Sequence, residues 1–197
     1  MYLEELQQSV ERVAARVGPA VVGLGRGWGF GSGVVVGAET ILTNAHNLRG
    51  EDVRITFTDG RQERGTVAGV DAEADLAVLA AATGDVGPLE WRPAGEAVGV
   101  GLPVFAVTNP GGRGLRVTFG LVSATGRSFP GPRGRRAGRA IEHTAPLVRG
   151  SSGSPLVDAA GRLVGLNAVR LEGGLILALA GDSALRERAE ALARGEQ

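Results

Sequence analysis

Apolar residues near both ends of the chain recur at helical spacing. Near the N-terminus they follow three- and four-residue steps along one predicted helix face: Leu3, Leu6, Val10, Val13 and Val17. Gly18-Pro19 ends this helix. A shorter stripe of Leu185, Ala189 and Leu192 predicts a C-terminal helix that ends at Gly195.

Short apolar runs separated by turn residues fill the chain between these two helices. Such runs, rich in Val and bounded by Gly, are typical of β-strands. They cover 21–24, 33–36, 53–57, 76–79, 104–107, 115–122, 163–169 and 175–179. Asp59-Gly60 predicts a hairpin turn. The stretch 81–101, rich in Gly, Pro and Ala, predicts a connection between two β units.

The composition supports a packed β-rich chain and narrows the classes of function. Of 197 residues, 43% are hydrophobic and 33 are glycine. Basic and acidic side chains balance to zero net charge, whereas a nucleic-acid-binding surface needs an excess of basic groups. The chain has no cysteine and two histidines, which removes disulfides and thiolate metal sites. We therefore predict no nucleic-acid partner, no metal and no cofactor.

No segment has the properties of a membrane span or of a secretory signal. The longest purely apolar run, 175–180, is about six residues long, whereas a membrane-spanning helix needs about twenty. The first residues include Glu4 and Glu5, where a secretory signal would be basic. The sequence predicts no membrane span and leaves two locations open. The protein is either cytoplasmic or exported with a targeting segment that has been removed.

Three segments place a histidine, an aspartate and a serine beside predicted strands. His46 follows one strand, Asp75 opens another, and Ser152 lies in a glycine-flanked turn. A serine hydroxyl attacks a peptide carbonyl when a histidine takes its proton and a buried carboxylate orients that histidine. We predict these roles for Ser152, His46 and Asp75. The backbone N–H groups of Gly150 and Ser152 are the predicted oxyanion hole.

These segments resemble the signature blocks of the HtrA (Deg) family of chymotrypsin-like serine proteases. The blocks are Thr43-Asn44-Ala45-His46, Asp75-Leu76-Ala77-Val78-Leu79, Gly150-Ser151-Ser152-Gly153-Ser154-Pro155 and Thr118-Phe119-Gly120-Leu121-Val122-Ser123-Ala124. The resemblance implies an all-β fold of two six-stranded antiparallel β-barrels with an N-terminal and a C-terminal helix. One protease domain then spans 1–197. Its implied parts are the N-terminal helix 1–18, the first barrel 19–92, the second barrel 98–181 and the C-terminal helix 182–195.

The chain departs from the family pattern in three respects. HtrA proteins usually carry a PDZ module after the protease domain, and roughly eighty further residues would be needed for one. We therefore expect no PDZ module in this chain. Ser151 replaces the usual Asn and Ser154 the usual second Gly, and both changes leave the predicted catalysis intact. The family also implies a homotrimer held partly by N-terminal aromatic residues. In this chain Tyr2 is the only aromatic residue before Trp28.

The resemblance implies an endopeptidase that forms an acyl-enzyme on unfolded or exposed segments of polypeptide substrates. The implied primary pocket is lined by Leu147, Asn167, Ala168 and Val169. Because the stretches 145–149 and 167–171 carry no carboxylate, we expect cleavage after small or medium apolar residues, not after Arg or Lys. An alternative stays open, a protease-fold chaperone or binding protein whose triad is held inactive until it is activated.

The remaining features have structural interpretations. His143 is expected to be structural or surface-facing. The arginine-rich stretch 126–139 is expected to be a solvated, mobile surface loop, with a regulatory or self-cleaved loop as the alternative. The glycines of 27–33 favour a hairpin over a phosphate-binding loop, because no Gly-Lys-Ser/Thr follows them.

Overall fold

Two closed antiparallel barrels form the body of the protein. The computed structural model describes residues 2–25, 31–130 and 136–196. In those ranges each barrel has six strands, and one α-helix lies near each end of the chain. The predicted fold class is therefore confirmed. The predicted turn at 27–33 lies mostly outside the described residues.

The first barrel is built from the N-terminal half of the chain. Its strands are β1 (Val21–Leu24), β2 (Gly31–Gly37), β3 (Thr40–Thr43), β4 (Asp52–Thr56), β5 (Gln62–Asp71) and β6 (Leu76–Ala80). Their order around the barrel is β1-β2-β3-β6-β5-β4, and β4 pairs with β1 to close it. The β3–β6 pair brings the start of β6 beside the end of β3, where Thr43 pairs with Ala77.

The second barrel repeats this design with the C-terminal half. Its strands are β7 (Pro103–Thr108), β8 (Arg116–Pro130), β9 (Arg136–His143), β10 (Pro155–Val157), β11 (Leu163–Arg170) and β12 (Ile176–Ala180). The order is β10-β11-β12-β9-β8-β7, with β7 pairing to β10.

The prediction of a surface loop over 126–139 is wrong for its described part. There β8 and β9 continue as a hairpin, in which Arg127 pairs with Ala140 and Ser128 with Arg139. Arg127, Ser128 and Arg139 are compatible with this ladder because their side chains are exposed. Residues 131–135 of the predicted loop are outside the described ranges.

Each helix packs on the barrel that is remote from it in sequence. Helix α1 (Tyr2–Val17) precedes the first barrel but lies against β7 and β8 of the second. Helix α2 (Ser183–Ala193) follows the second barrel but lies against β5 and β6 of the first. Its Arg188 pairs with Asp71 at 2.6 Å, and Leu192 packs on Gly69 so closely that a Cβ there would lie 2.6 Å from the Leu192 carbonyl oxygen.

The barrels meet through close backbone contacts and a tethered connection. A Cβ at Gly23 in β1 would overlap the backbone nitrogen of Gly112, which follows β7. In the connecting segment, Arg92 forms a buried ion pair with Asp158 of the second barrel, with Nη1 and Oδ2 2.8 Å apart. The two barrels are therefore fixed against each other.

Candidate active site

The histidine and the aspartate of the predicted triad are placed by the ends of β3 and β6. After β3, one short helical turn, Ala45–Asn47, presents His46. Asp75 lies just before β6 with φ at 52°, a left-handed conformation that is rare for non-glycine residues. Its carbonyl accepts from Ala45 N at 3.2 Å and from Asn44 Nδ2 at 3.1 Å, which holds this turn in place.

The carboxylate of Asp75 accepts hydrogen bonds from two groups of His46, the ring Nδ1 and the backbone N. His46 Nδ1 lies 2.8 Å from Asp75 Oδ2, and the His46 backbone N donates to Oδ1 at 3.0 Å. The carboxylate side chain is only 12% exposed, whereas that of His46 is 47% exposed. A carboxylate can only accept, so Nδ1 carries the proton and Nε2 keeps a lone pair for proton transfer.

The turn that carries Ser152 is held from both barrels. From β2, Ser32 donates its backbone N–H to Ser152 O at 2.8 Å and its hydroxyl to Gly150 O at 3.0 Å. From β11, Asn167 O accepts the N–H of Gly153 at 2.7 Å. A Cβ at Gly153, where φ is 84°, would overlap Ser32 O. Glycine is therefore required directly after the serine.

The hydroxyl of Ser152 does not contact His46 in this structure. Its Oγ donates to the carbonyl oxygen of Ala168 at 3.0 Å, and no hydrogen bond joins it to the His46 ring among the described residues. Proton transfer to His46 Nε2 requires the Ser152 hydroxyl to leave the Ala168 carbonyl and form a hydrogen bond with the ring.

Two backbone donors at the Ser152 turn are free. Within the described part of the chain, no acceptor takes the N–H of Gly150 or of Ser152, and both residues are partly exposed. Gly150 has φ at 86°, a conformation available to glycine at little cost. Free donors in this position are what the charge on a tetrahedral intermediate requires.

A comparison with known families agrees with this geometry. Residues 31–166 match the family described as trypsin-like peptidase domain. The chain belongs to that family.

The peptidase domain also has similar curated relatives. Serine protease PepD of Mycobacterium tuberculosis is 36% identical over 179 residues, which cover 81% of this chain and 38% of that protein. Serine endoprotease DegS of Escherichia coli K12 is 34% identical over 146 residues, which cover 73% of this chain and 40% of that protein. The chain therefore spans about two fifths of the length of these relatives.

Solved structures give the same assignment. HtrA-type protease AlgW with decapeptide superposes with a TM-score of 0.81 at 26% identity, covering 95% of this chain and 68% of that one. The serine endoprotease from Yersinia pestis superposes with a TM-score of 0.79 at 29% identity, covering 94% and 66%. The predicted resemblance to HtrA proteases is confirmed.

A small cavity of about 50 Å³ adjoins Ser152 on the second barrel. Its wall is formed by Leu147, Val148, Ser151, Ser152, Ala168, Val169, Arg170 and Ile176. Three of the four residues predicted for the pocket, Leu147, Ala168 and Val169, are in this wall, and Asn167 is not. No carboxylate lines the cavity among the described residues, and Arg170 adds a positive charge, so the wall provides no partner for a basic side chain.

Asn167 instead belongs to a buried network behind the nucleophile turn. Its Oδ1 lies 2.8 Å from His143 Nε2, and its Nδ2 donates to Ser154 Oγ at 3.0 Å. His143 Nδ1 accepts from Ala145 N at 3.2 Å. Burial lowers the pKa of His143 to about 4, and the hydrogen bond with Asn167 opposes this shift. His143 is therefore neutral and structural, the first of its two predicted placements.

Sequence reasoning missed two residues of the peptidase site, Ser32 and Asn47. Both belong to the first barrel and donate to the carbonyl of Ser152, in the second. The sequence predicts no functional role for either residue. A pattern along one chain carries no signal for a hydrogen bond that spans more than a hundred positions. Only the docking of the barrels reveals it.

Neither α-helix of the domain has the properties of a membrane span. Across the described ranges 2–25, 31–130 and 136–196, neither α1 nor α2 is both long and apolar enough to cross a membrane.

Proposed function

We propose that this domain is a serine endopeptidase in which Ser152, His46 and Asp75 form the catalytic triad. The observation that carries the proposal is the 2.8 Å contact of His46 Nδ1 with Asp75 Oδ2, which leaves Nε2 as the base. The Ser152 turn of the opposite barrel is bonded to Asn47, the residue next to His46.

The reaction follows from these positions. His46 Nε2 takes the proton of Ser152 Oγ as the oxygen bonds to the scissile carbonyl carbon, and Gly150 N–H and Ser152 N–H receive the oxyanion. The C–N bond then breaks, and His46 returns the proton to the leaving amine. Water, deprotonated by His46, hydrolyses the acyl-enzyme and restores the serine.

The proposed substrates are polypeptides, cut in unfolded or exposed segments after small or medium apolar residues. The 50 Å³ cavity has mainly aliphatic side chains in its wall and no carboxylate among the described residues, which supports this preference. A homotrimer rests on the family resemblance, and sedimentation of the full chain tests it.

The test is cleavage of unfolded casein by the wild type and by Ser152→Ala, with fluorophosphonate labelling of both. We expect the wild type alone to cut and to be labelled, and the mapped cuts to follow small apolar residues. Cuts clustered after Arg or Lys would contradict the proposed specificity, and equal cleavage by both proteins would contradict the proposed nucleophile.

A protease-fold binding or chaperone role is the second candidate. The hydrogen bond of Ser152 Oγ to Ala168 O favours this role, because no hydrogen bond joins the hydroxyl to His46 among the described residues. A folded wild type that binds unfolded casein but neither cuts nor labels would support this role over the first.

A further inference from the structure

Asn47, the residue after the proposed general base, bonds across the barrel interface to the backbone of the proposed nucleophile. It is 5% exposed, and its side chain extends into the interface between the barrels. Asn47 Nδ2 lies 2.9 Å from Thr43 Oγ1 and 2.9 Å from the carbonyl oxygen of Ser152. One amide group therefore bonds the end of β3 and the backbone of the nucleophile together.

The orientation of this amide is set by its neighbours. The single hydroxyl proton of Thr43 goes to Ser32 O at 2.8 Å, so Thr43 Oγ1 can only accept from Asn47. Ser152 O is also an acceptor. Both contacts therefore require N–H groups, and the two protons of the Asn47 amide are both used.

The peptide unit between Ser152 and Gly153 is consequently fixed at both of its polar ends. Its oxygen accepts from Ser32 N at 2.8 Å and from Asn47 Nδ2 at 2.9 Å, both in the first barrel. Its N–H donates to Asn167 O in the second barrel at 2.7 Å. Fixing this plane fixes the direction of the Cα–Cβ bond that carries the Ser152 hydroxyl.

The space around the Asn47 amide is filled, so the amide has no alternative position. A Cβ at Gly31 would overlap the side-chain amide of Asn47, and a Cβ at Gly153 would lie 3.0 Å from its Nδ2. Close packing on both sides converts two hydrogen bonds into a defined distance between the barrels.

We propose that Asn47 is a positioning residue that sets the register of His46 against Ser152. The two residues His46 and Asn47 share one short turn, so a shift of the nucleophile turn relative to Asn47 is a shift relative to His46. Asn47 acts through the Ser152 carbonyl and contacts neither the scissile bond nor the oxyanion. This inference rests on the proposed endopeptidase function.

The first test replaces Asn47 with Ala and measures the second-order rate of fluorophosphonate labelling. Small misplacements of catalytic groups cost up to about 100-fold in rate, and we expect a loss between about 10- and 100-fold. With a peptide taken from the mapped casein cuts, kcat should fall by the same factor while KM stays unchanged, because no substrate contact is lost.

Asn109→Ala is the matched control. Asn109 is also a buried asparagine, 1% exposed, and bridges Thr56 O at 3.2 Å and Gly114 N at 3.1 Å away from the triad. This change should lower the melting temperature as much as Asn47→Ala does, yet leave the labelling rate of the folded protein unchanged. A general loss of packing would slow labelling in both variants.

Asn47→Asp keeps the size of the side chain and tests the donor itself. A carboxylate would face the Ser152 carbonyl oxygen with no proton to donate, whereas its protonated form can donate. The labelling rate of this variant, divided by that of the wild type, should therefore rise as pH is lowered from 8 to 5. Dividing by the wild type removes any pH dependence that the two proteins share.

The outcomes separate the two proposals. A wild type that is not labelled overturns the endopeptidase function and this inference with it. A labelled wild type with an unchanged rate in Asn47→Ala, or with a pH-independent ratio in Asn47→Asp, overturns the positioning role alone. Slow labelling of Asn47→Ala with raised KM would also overturn it, by indicating a substrate contact instead.

Discussion

Asp75 shows how single residues are shaped by the site. Its φ of 52° is one of two positive values at non-glycine positions in the described residues, and such a conformation costs about 1–3 kcal/mol. The bonds from Ala45 N and Asn44 Nδ2 to its carbonyl hold that conformation. In this conformation the carboxylate accepts two N–H groups of His46. A backbone with an ordinary negative φ would direct the carboxylate elsewhere.

We expect Asp75→Asn to reduce cleavage by about 10⁴-fold while the fold is retained. An amide here can donate to His46 Nδ1, which moves the ring proton to Nε2 and removes the base. Fluorophosphonate labelling rates and thermal melts measure the two effects. Asp59→Asn, in the turn after β4, is the control and should label like the wild type. Rapid labelling of Asp75→Asn would contradict the proposed role.

His143 predicts how stability depends on pH. Its pKa is lowered from 6.5 to about 4 in the folded protein, so unfolding binds a proton between these values. Stability therefore falls as pH falls from 6.5 towards 4, by about 3 kcal/mol from this residue. His143→Gln removes that proton uptake and should lose correspondingly less over the same range. Urea unfolding at several pH values measures the difference, and parallel curves for both proteins would refute it.

At the scale of elements, α2 stabilises the barrel to which it is not joined in sequence. Leu192 is fully buried against β5 and β6, so its truncation leaves a cavity. We expect Leu192→Ala to lower the free energy of unfolding by about 2–5 kcal/mol, measured in urea. Leu3→Ala on α1, where the side chain is 82% exposed, is the control and should change little. Similar losses in both variants would disprove this packing.

The strands that the sequence predicts contain runs of apolar residues, and the strands that it does not predict lack such runs. Eight runs correspond to strands, whereas β5 escapes because its buried positions are Gly65 and Gly69. Gly65 makes room for Ile55, and Gly69 makes room for Leu192. Because both buried positions are glycines, β5 shows no alternation of apolar and polar residues. The outer part of the β8–β9 hairpin escapes for a related reason, since Arg127 on β8 and Arg139 on β9 are exposed.

At the scale of the whole molecule, the sequence predicts the proposed triad but not the contacts that support it. His46, Asp75 and Ser152 are predicted because each lies in a short local motif. The contacts of Ser32 and Asn47 with Ser152 O join residues that only the docking of two barrels brings together. The same holds for the Ser152 hydroxyl, whose bond to Ala168 O depends on a rotamer and not on a motif.

Each helix packs on the barrel remote from it in sequence, and the two barrels share a core. These features predict that the two barrels unfold together. One hydrophobic cluster includes Val17 of α1, Leu79 of the first barrel, Leu166 of the second and Leu192 of α2. Losing either barrel would expose the helix that packs on it and the interface where Asn109 Nδ2 bonds Thr56 O at 3.2 Å. A cooperative unit of this kind has one opening free energy for its most protected amides.

Hydrogen exchange of β3 and β6 against β11 and β12, followed by mass spectrometry, measures that cooperativity. We expect the slowest amides of both barrels to report opening free energies equal within about 1 kcal/mol, because no stable half remains after the other opens. Leu192→Ala should then accelerate exchange in the second barrel as much as in the first, although Leu192 packs on the first. Faster exchange confined to the first barrel would mean that the barrels unfold separately. The interface between them could then open without global unfolding.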